Sequence, residues 1–253
     1  MRKGLEAAIL LLLGIYLLET RLTGEIAYYI AAQFYWLPVV AGVMLILLGG
    51  VRVSGLLRDA PPAPPESTTR VLITAPAAHG KGNERKPISW GVLALIATPL
   101  ALGTLVPAKP LTSAAIGGSG ITLSISAAPA GAYSIAPESR NILDWVRAFT
   151  AAETPEEFNG QTAEVIGFVY RDIRFTREDQ FMVARFVMQC CTADAQAFGV
   201  LIESPAAPDF PQDSWVRVRG KFAVRPFDNT PTPVLIADSI EPTAMPDRPY
   251  LYP

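Results

Sequence analysis

The rhythm of hydrophobic and polar positions changes twice along this chain, near residue 107 and near residue 138. Before residue 107 the apolar residues form three blocks with few polar interruptions. The first runs from Leu5 to Leu18 behind Arg2 and Lys3. Taken as residues 4–22 it reaches the length of about 20 that a bilayer span needs, with Glu6, Glu19 and Arg21 close to its ends. A secretory signal would share its basic start and apolar core, but no small-x-small pattern follows and a second block comes next, which favours a retained span. The second block covers residues 26–51, with Tyr28, Tyr29, Tyr35 and Trp36 toward its start, as interfacial aromatics are placed, and Pro38 and Gly42 inside. The third covers residues 88–106 and contains Pro99 and Gly103. Each block alone would suit a buried helix of a globular protein; three in close succession predict a transmembrane region over residues 1–106.

Residues 107–137 lose all periodicity and are rich in Ala, Gly, Ser and Pro, the composition of a tether. Beyond it, Ile142, Trp145, Val146 and Phe149 recur at helical spacing, and Thr154-Pro155-Glu156-Glu157 reads as the start of a short turn that Gly160 ends. The period then becomes two. Strands are expected at Thr162 to Tyr170, Phe181 to Cys190, Ala197 to Glu203, Ser214 to Val224 and Pro233 to Ile240, separated by Asp, Pro, Gly and Asn. Five short strands preceded by short helices, over residues 138–253, predict a mainly β C-terminal domain of the small five-stranded Greek-key barrel type, OB-like. The Pro-rich segment Ser204 to Pro211 leaves no room for a helix of normal length, so the helix usual at that point of an OB-fold is either missing or replaced by those before the first strand.

Charge adds orientation. The chain is 50% hydrophobic and only 17% charged, and the charge gathers after Glu138. The N-terminus carries Arg2 and Lys3, and the loop 52–87 carries Arg52, Arg58, Arg70, Lys81, Arg85 and Lys86, whereas only Arg21 lies between the first two blocks. The positive-inside rule then places the N-terminus and the loop in the cytoplasm and the C-terminal domain outside it. Within the loop, Ala60-Pro61-Pro62-Ala63-Pro64-Pro65 favours extended polyproline conformation and reads as solvated linker.

Strand alternation assigns faces. In the second strand Met182, Ala184, Phe186, Met188 and Cys190 fall on the core side and Arg185, Gln189 and Cys191 on the other. In the fourth, Val216, Val218, Gly220 and Phe222 face in and Trp215, Arg217, Arg219 and Lys221 face out. A basic face with a tryptophan on an OB-like barrel would suit single-stranded nucleic acid, but the expected topology removes that partner. Solvated strand, or docking on a partner protein or anionic lipid through Arg185, Trp215, Arg217, Arg219 and Lys221, are the readings left.

The chemically suggestive segment is Gln189-Cys190-Cys191-Thr192-Ala193-Asp194. Two thiols and a carboxylate suit a thiophilic metal ion, the one cofactor the sequence points toward, with Cys190, Cys191 and Asp194 as candidate ligands. Adjacent strand residues point to opposite faces, so both sulfurs serve one site only where the strand ends or bulges. An inert pair with Cys190 buried, and a redox pair forming a strained vicinal disulfide, are the competing readings. His79, the only histidine, falls in the expected cytoplasmic loop, and no phosphate-binding glycine loop is present, so no enzyme is expected.

Asn141-Ile-Leu-Asp-Trp, Gly167-Phe-Val-Tyr-Arg, Ala184-Arg-Phe-Val-Met-Gln-Cys-Cys-Thr-Ala-Asp-Ala, Trp215-Val-Arg-Val-Arg-Gly-Lys-Phe and Pro249-Tyr-Leu-Tyr-Pro together resemble the YcgQ-like family of bacterial two-component permease subunits. The resemblance implies a multi-pass protein of the bacterial inner membrane. It would serve as a non-enzymatic accessory subunit beside a multi-span permease, its outer domain presenting or sensing a solute such as a metal ion. A membrane-anchored thiol, metal-binding or redox protein acting alone, and a cell-envelope adaptor, are the alternatives.

Overall fold

The computed structural model describes residues 2–58, 89–116, 121 and 135–253. The proline-rich stretch, His79 and most of the expected tether lie outside the described residues. The chain divides into two units, one of Met1–Glu25 with Tyr35–Ala108 and one of Ile26–Phe34 with Lys109–Pro253.

The first unit is helical: α1 (Arg2–Leu22), α2 (Trp36–Arg58) and α3 (Trp90–Leu105). The helices α1 and α2 pack along a seam of glycines. A methyl group at Gly14 would lie 2.8 Å from the Gly42 carbonyl oxygen, and one at Gly49 would lie 2.7 Å from Leu11 Cγ. Small residues let two backbones approach closely, as they do in membranes. Away from the seam α2 turns apolar side chains outward, with Leu47 64% and Val51 70% exposed. Ala32–Arg58 is the stretch among the described residues that is both long and apolar enough to cross a membrane; α3 is apolar but shorter.

The second apolar block does not become helix over its whole length. Gly24, at φ +81°, breaks the chain after α1, and Glu25–Tyr28 and Ala32–Phe34 form short 3-10 turns. The helix α2 begins only at Trp36, which puts Pro38 in its first turn, where a missing N–H leaves no helical bond unmade. In α3, Ser89 caps the start by accepting from Val92 N at 3.4 Å.

The second unit is built on α4 (Ile142–Ala151) and five strands: β1 (Thr162–Tyr170), β2 (Gln180–Val187), β3 (Gln196–Glu203), β4 (Trp215–Phe227) and β5 (Thr230–Pro242). The strands pair in the order β1-β2-β3-β5-β4, and β4 returns to β1, so the mixed sheet closes on itself. β3 and β5 are parallel and the other pairs antiparallel. A bulge between Arg219 and Gly220 bends β4. Gly220 is required there, because a methyl group would fall 2.0 Å from the Ile236 carbonyl oxygen.

Asn141 and Asp144 start α4 with a capping box: Asn141 Oδ1 accepts from the N–H groups of Leu143 and Asp144 at 2.8 and 3.2 Å, and Asp144 Oδ2 accepts from Asn141 N at 3.1 Å. Its apolar face buries Trp145 completely, 4.7 Å from the Phe222 ring and within one cluster with Val165, Val183, Val200 and Leu235 from four strands. The helix that closes this core thus precedes β1. Only a 3-10 turn, Ala207–Asp209, follows β3.

The alternation expected for β4 is observed: Val216, Val218 and Phe222 are buried, while Arg219 and Lys221 are exposed. That for β2 is not. Phe181, Val183 and Val187 enter the core shared with α4, whereas Met182, Ala184 and Phe186 lie in a second buried cluster with Ile121 and Tyr250. Chain from distant parts of the sequence covers the outer side of β2, so the strand is apolar on both faces and its alternation carries no sign of which is inward.

Candidate functional site: a thiol turn at the end of β2

β2 ends at Val187, before the cysteines. Its last residues keep β3 on one side and take the C-terminal segment in place of β1 on the other: Met188 N donates to Leu251 O and Leu251 N to Phe186 O, each at 2.9 Å. Freed from the strand, Gln189–Asp194 turns back on itself, and Thr192–Asp194 forms a 3-10 turn. The sequence-based condition for both sulfurs to share a side is therefore met. Cys190 is exposed, contrary to the buried position expected from alternation, and Cys191 is half-buried; both are free thiols.

Asp194 organises the turn. Its Oδ1 accepts from Gln189 N at 2.7 Å, and its Oδ2 accepts from Cys190 N at 2.8 Å and Cys191 N at 3.1 Å. The Cys190 thiol and these N–H groups hold the carboxyl down to about 2. The carboxylate beside it, with Cys191 adding, pushes the Cys190 thiol up to about 12. Cys190 therefore carries its proton at neutral pH, and a cation would have to take that proton's place. The two sulfurs are 3.6 Å apart, and the ligand atoms of Cys190, Cys191 and Asp194 all lie within 4.8 Å of one another. At a metal–sulfur distance of about 2.3 Å, a 3.6 Å bite subtends roughly 103°. That is near tetrahedral and far from the linear arrangement of a two-coordinate ion. Three N–H donors already occupy much of the carboxylate's capacity, so the sulfurs are the better placed ligands.

The start of the second apolar block borders this turn. Residues 26–34 pair with it in antiparallel sense at Ile30 and Cys191. Ala31 N donates to Cys190 O and Thr192 N to Tyr29 O, both at 2.9 Å, and Gln33 Nε2 donates to Gln189 O at 3.0 Å. Tyr250 Oη donates to Tyr28 O at 3.2 Å and accepts from Leu111 N at 2.9 Å. Ala31, Ala32, Gln33, Gln189, Tyr252 and Pro253 line a cleft of about 380 Å³. Gly24 was the local signal that the helix stops; the tyrosines gave none, because interfacial and packed tyrosines look alike in sequence.

The five residues of the expected basic face do not form one open surface. Glu164 lies between Arg217 and Arg219 and bonds both, the latter at 2.5 Å. Arg219's hydrogen bond, helped by Arg217, holds Glu164 below the usual carboxylate range. Arg185 is directed elsewhere: Nε donates to Pro249 O at 3.1 Å and the guanidinium stacks over Trp215, 5.7 Å from the ring centre. Burial lowers its pKa to about 10. Lys221 is exposed.

An apolar helical part, one stretch of it long and apolar enough to cross a membrane, joined to a closed five-stranded β domain bearing a vicinal thiol turn defines a class of two-part proteins. This chain belongs to the DUF1980 family: residues 5–122 match its N-terminal domain and residues 130–253 its C-terminal domain. It is 35% identical over 101 residues to "UPF0703 protein YcgQ" of Bacillus subtilis (strain 168). It is 32% identical over 100 residues to a Streptococcus mutans protein named "Putative two-component membrane permease complex subunit". Each match covers 39% of this chain, and 35% and 36% of the respective relatives, so the chain's match spans about a third of their length. The family resemblance read from the sequence motifs is thereby established.

Proposed function

We propose that this protein is a non-enzymatic, membrane-anchored accessory subunit of a multi-span permease, and that its thiol turn takes up a thiophilic ion. In this reading α1, α2 and α3 all span the membrane, the N-terminus is cytoplasmic, and the β domain is an OB-like barrel outside the cytoplasm. The observation that carries the site is the convergence of the Cys190 and Cys191 sulfurs and the Asp194 carboxylate within 4.8 Å on one turn. The strand order, closed by a helix that packs into the core, supports the OB-like assignment. The Streptococcus mutans relative's name supports the permease partner.

Ion uptake is favoured over disulfide formation. Neighbouring Cα atoms across a trans peptide are about 3.8 Å apart, below the roughly 4.4–6.8 Å that disulfides span. The peptide is also held by bonds to Asp194 and Ala31. The test is titration of the full chain in mild detergent with Cd2+. A thiolate-to-metal absorption band that Cys191→Ser abolishes is expected; no band would remove the ion reading. Affinity purification from the same membranes should recover a multi-span protein, and its consistent absence would remove the subunit reading.

A further inference from the structure

The residues between α1 and α2 are more than a connection. Ile26–Phe34 belongs to the same unit as the cysteines, and it bonds the thiol turn on both sides of the pair. Ala31 N reaches the carbonyl of Cys190 itself, and Tyr29 O receives the N–H of Thr192, the residue after Cys191. Gln33 adds a side-chain bond to the residue before the pair. Ile26 and Ala31 are buried, so the segment is anchored by packing as well as by polar contacts.

We propose that Ile26–Phe34 is the second half of the thiol site, a strap that positions the Cys190–Cys191 peptide and closes more firmly when a soft, four-coordinate cation is bound. The proposal rests on the ion reading given above. Its physical basis is linkage. When the strap opens, Cys190 O loses its donor and Thr192 N its acceptor, so the peptide that sets the spacing of the sulfurs is no longer held. A cation that binds only the closed arrangement suppresses opening by the factor 1 + [L]/Kd. Amide exchange at hydrogen bonds broken by that opening slows by the same factor. The strap is flanked in sequence by α1 and α2, so occupancy of the thiol turn would be felt by the chain that joins them.

The experiment is hydrogen exchange of the full chain in detergent micelles, with and without Cd2+ at ten times its measured Kd. The amides of Ala31 and Thr192 report on the strap. The amides of Leu93 and Val106, bonded to Ser89 O and Leu102 O in the helical unit, serve as references. The expected result is about elevenfold slower exchange at Ala31 and Thr192, with the references unchanged. A Cd2+ band with no change at Ala31 and Thr192 would overturn the strap and leave the ion site standing. No band would overturn both. Gln33→Ala, which removes one side-chain contact and leaves the backbone pairing, should weaken Cd2+ binding about two- to tenfold; unchanged affinity would overturn the positioning role.

Discussion

α2 and β2 are both almost wholly apolar, yet they handle that surface in opposite ways. β2 is covered twice, by the core shared with α4 on one side and by Ile121, Tyr250 and their neighbours on the other, so that Met182 and Val183 are each fully buried. α2 is covered along one seam, by α1 at Gly14, Gly42 and Gly49, and leaves Met44, Leu47 and Val51 exposed. In water the first arrangement suits a folded domain and the second a surface awaiting cover, since soluble monomers rarely expose large contiguous apolar patches. Similar hydrophobicity is thus handled in two ways, and the chain passes from one unit to the other between Glu25 and Ile26, just after Gly24.

The comparison can be broken or sharpened by substitution. The largest effect is expected at the core shared by α4 and the strands. Trp145→Ala should lower the stability of the β unit by about 3–5 kcal/mol, read as a shift in denaturant midpoint by near-ultraviolet circular dichroism of the full chain. Loss of less than about 1 kcal/mol would mean that α4 does not close the core. Next is the glycine seam. Gly42→Leu puts side-chain atoms where a methyl group would already meet Gly14 O at 2.9 Å. It should cost about 1–3 kcal/mol of α1–α2 association, measured by cross-linking or thermal stability in detergent.

A smaller effect is expected at the thiol turn. Asp194→Ala removes the carboxylate that keeps Cys190 protonated, so the thiol should return toward its ordinary value near 8.5. Alkylation of Cys190 at pH 8 should then accelerate by more than about tenfold; an unchanged rate would separate Asp194 from Cys190 reactivity. The signs are clear in the unaltered protein. The Asp194 carboxyl, lowered to about 2, favours the folded turn above the ordinary carboxylate value, and that contribution fades as pH falls toward 2. The Cys190 thiol, raised to about 12, favours it below the ordinary thiol value, and that contribution is lost as pH climbs toward 12. Ion affinity runs the other way. It should strengthen as pH rises, by about tenfold per unit for each proton displaced, and a flat profile between pH 6 and 8 would exclude Cys190 as a ligand. The smallest effect is expected at exposed positions: Leu47→Ala and Lys221→Ala should each change unit stability by no more than about 0.5 kcal/mol.

Where a periodic pattern meets a single environment, the sequence was sufficient. β1 occupies Thr162–Tyr170 as expected, the apolar face of α4 is the one read from Ile142, Trp145, Val146 and Phe149, and β4 alternates as its residues do. Where cover comes from far along the chain it was not. The pattern alone carries β2 on to Cys190, because nothing local announces that Leu251 replaces β1 beside the strand's end at Val187. The basic face looked open because Glu164 stands over fifty residues before its two arginines. The thiol turn was half legible: its three candidate ligands were readable from spacing, but its partner segment was hidden in an apolar block that also resembles membrane.

The strap also sets a clock on synthesis. Tyr28 is bonded to Tyr250, at the other end of the chain, and α1, α2 and α3 are all made between residues 2 and 105. At the usual pace of roughly 5–20 residues per second, the first tyrosine waits on the order of ten to forty seconds for the second. The cysteines are made 59 residues before Tyr250, so for roughly three to twelve seconds of that wait an ion offered to the growing chain would meet two thiols before it meets a finished site.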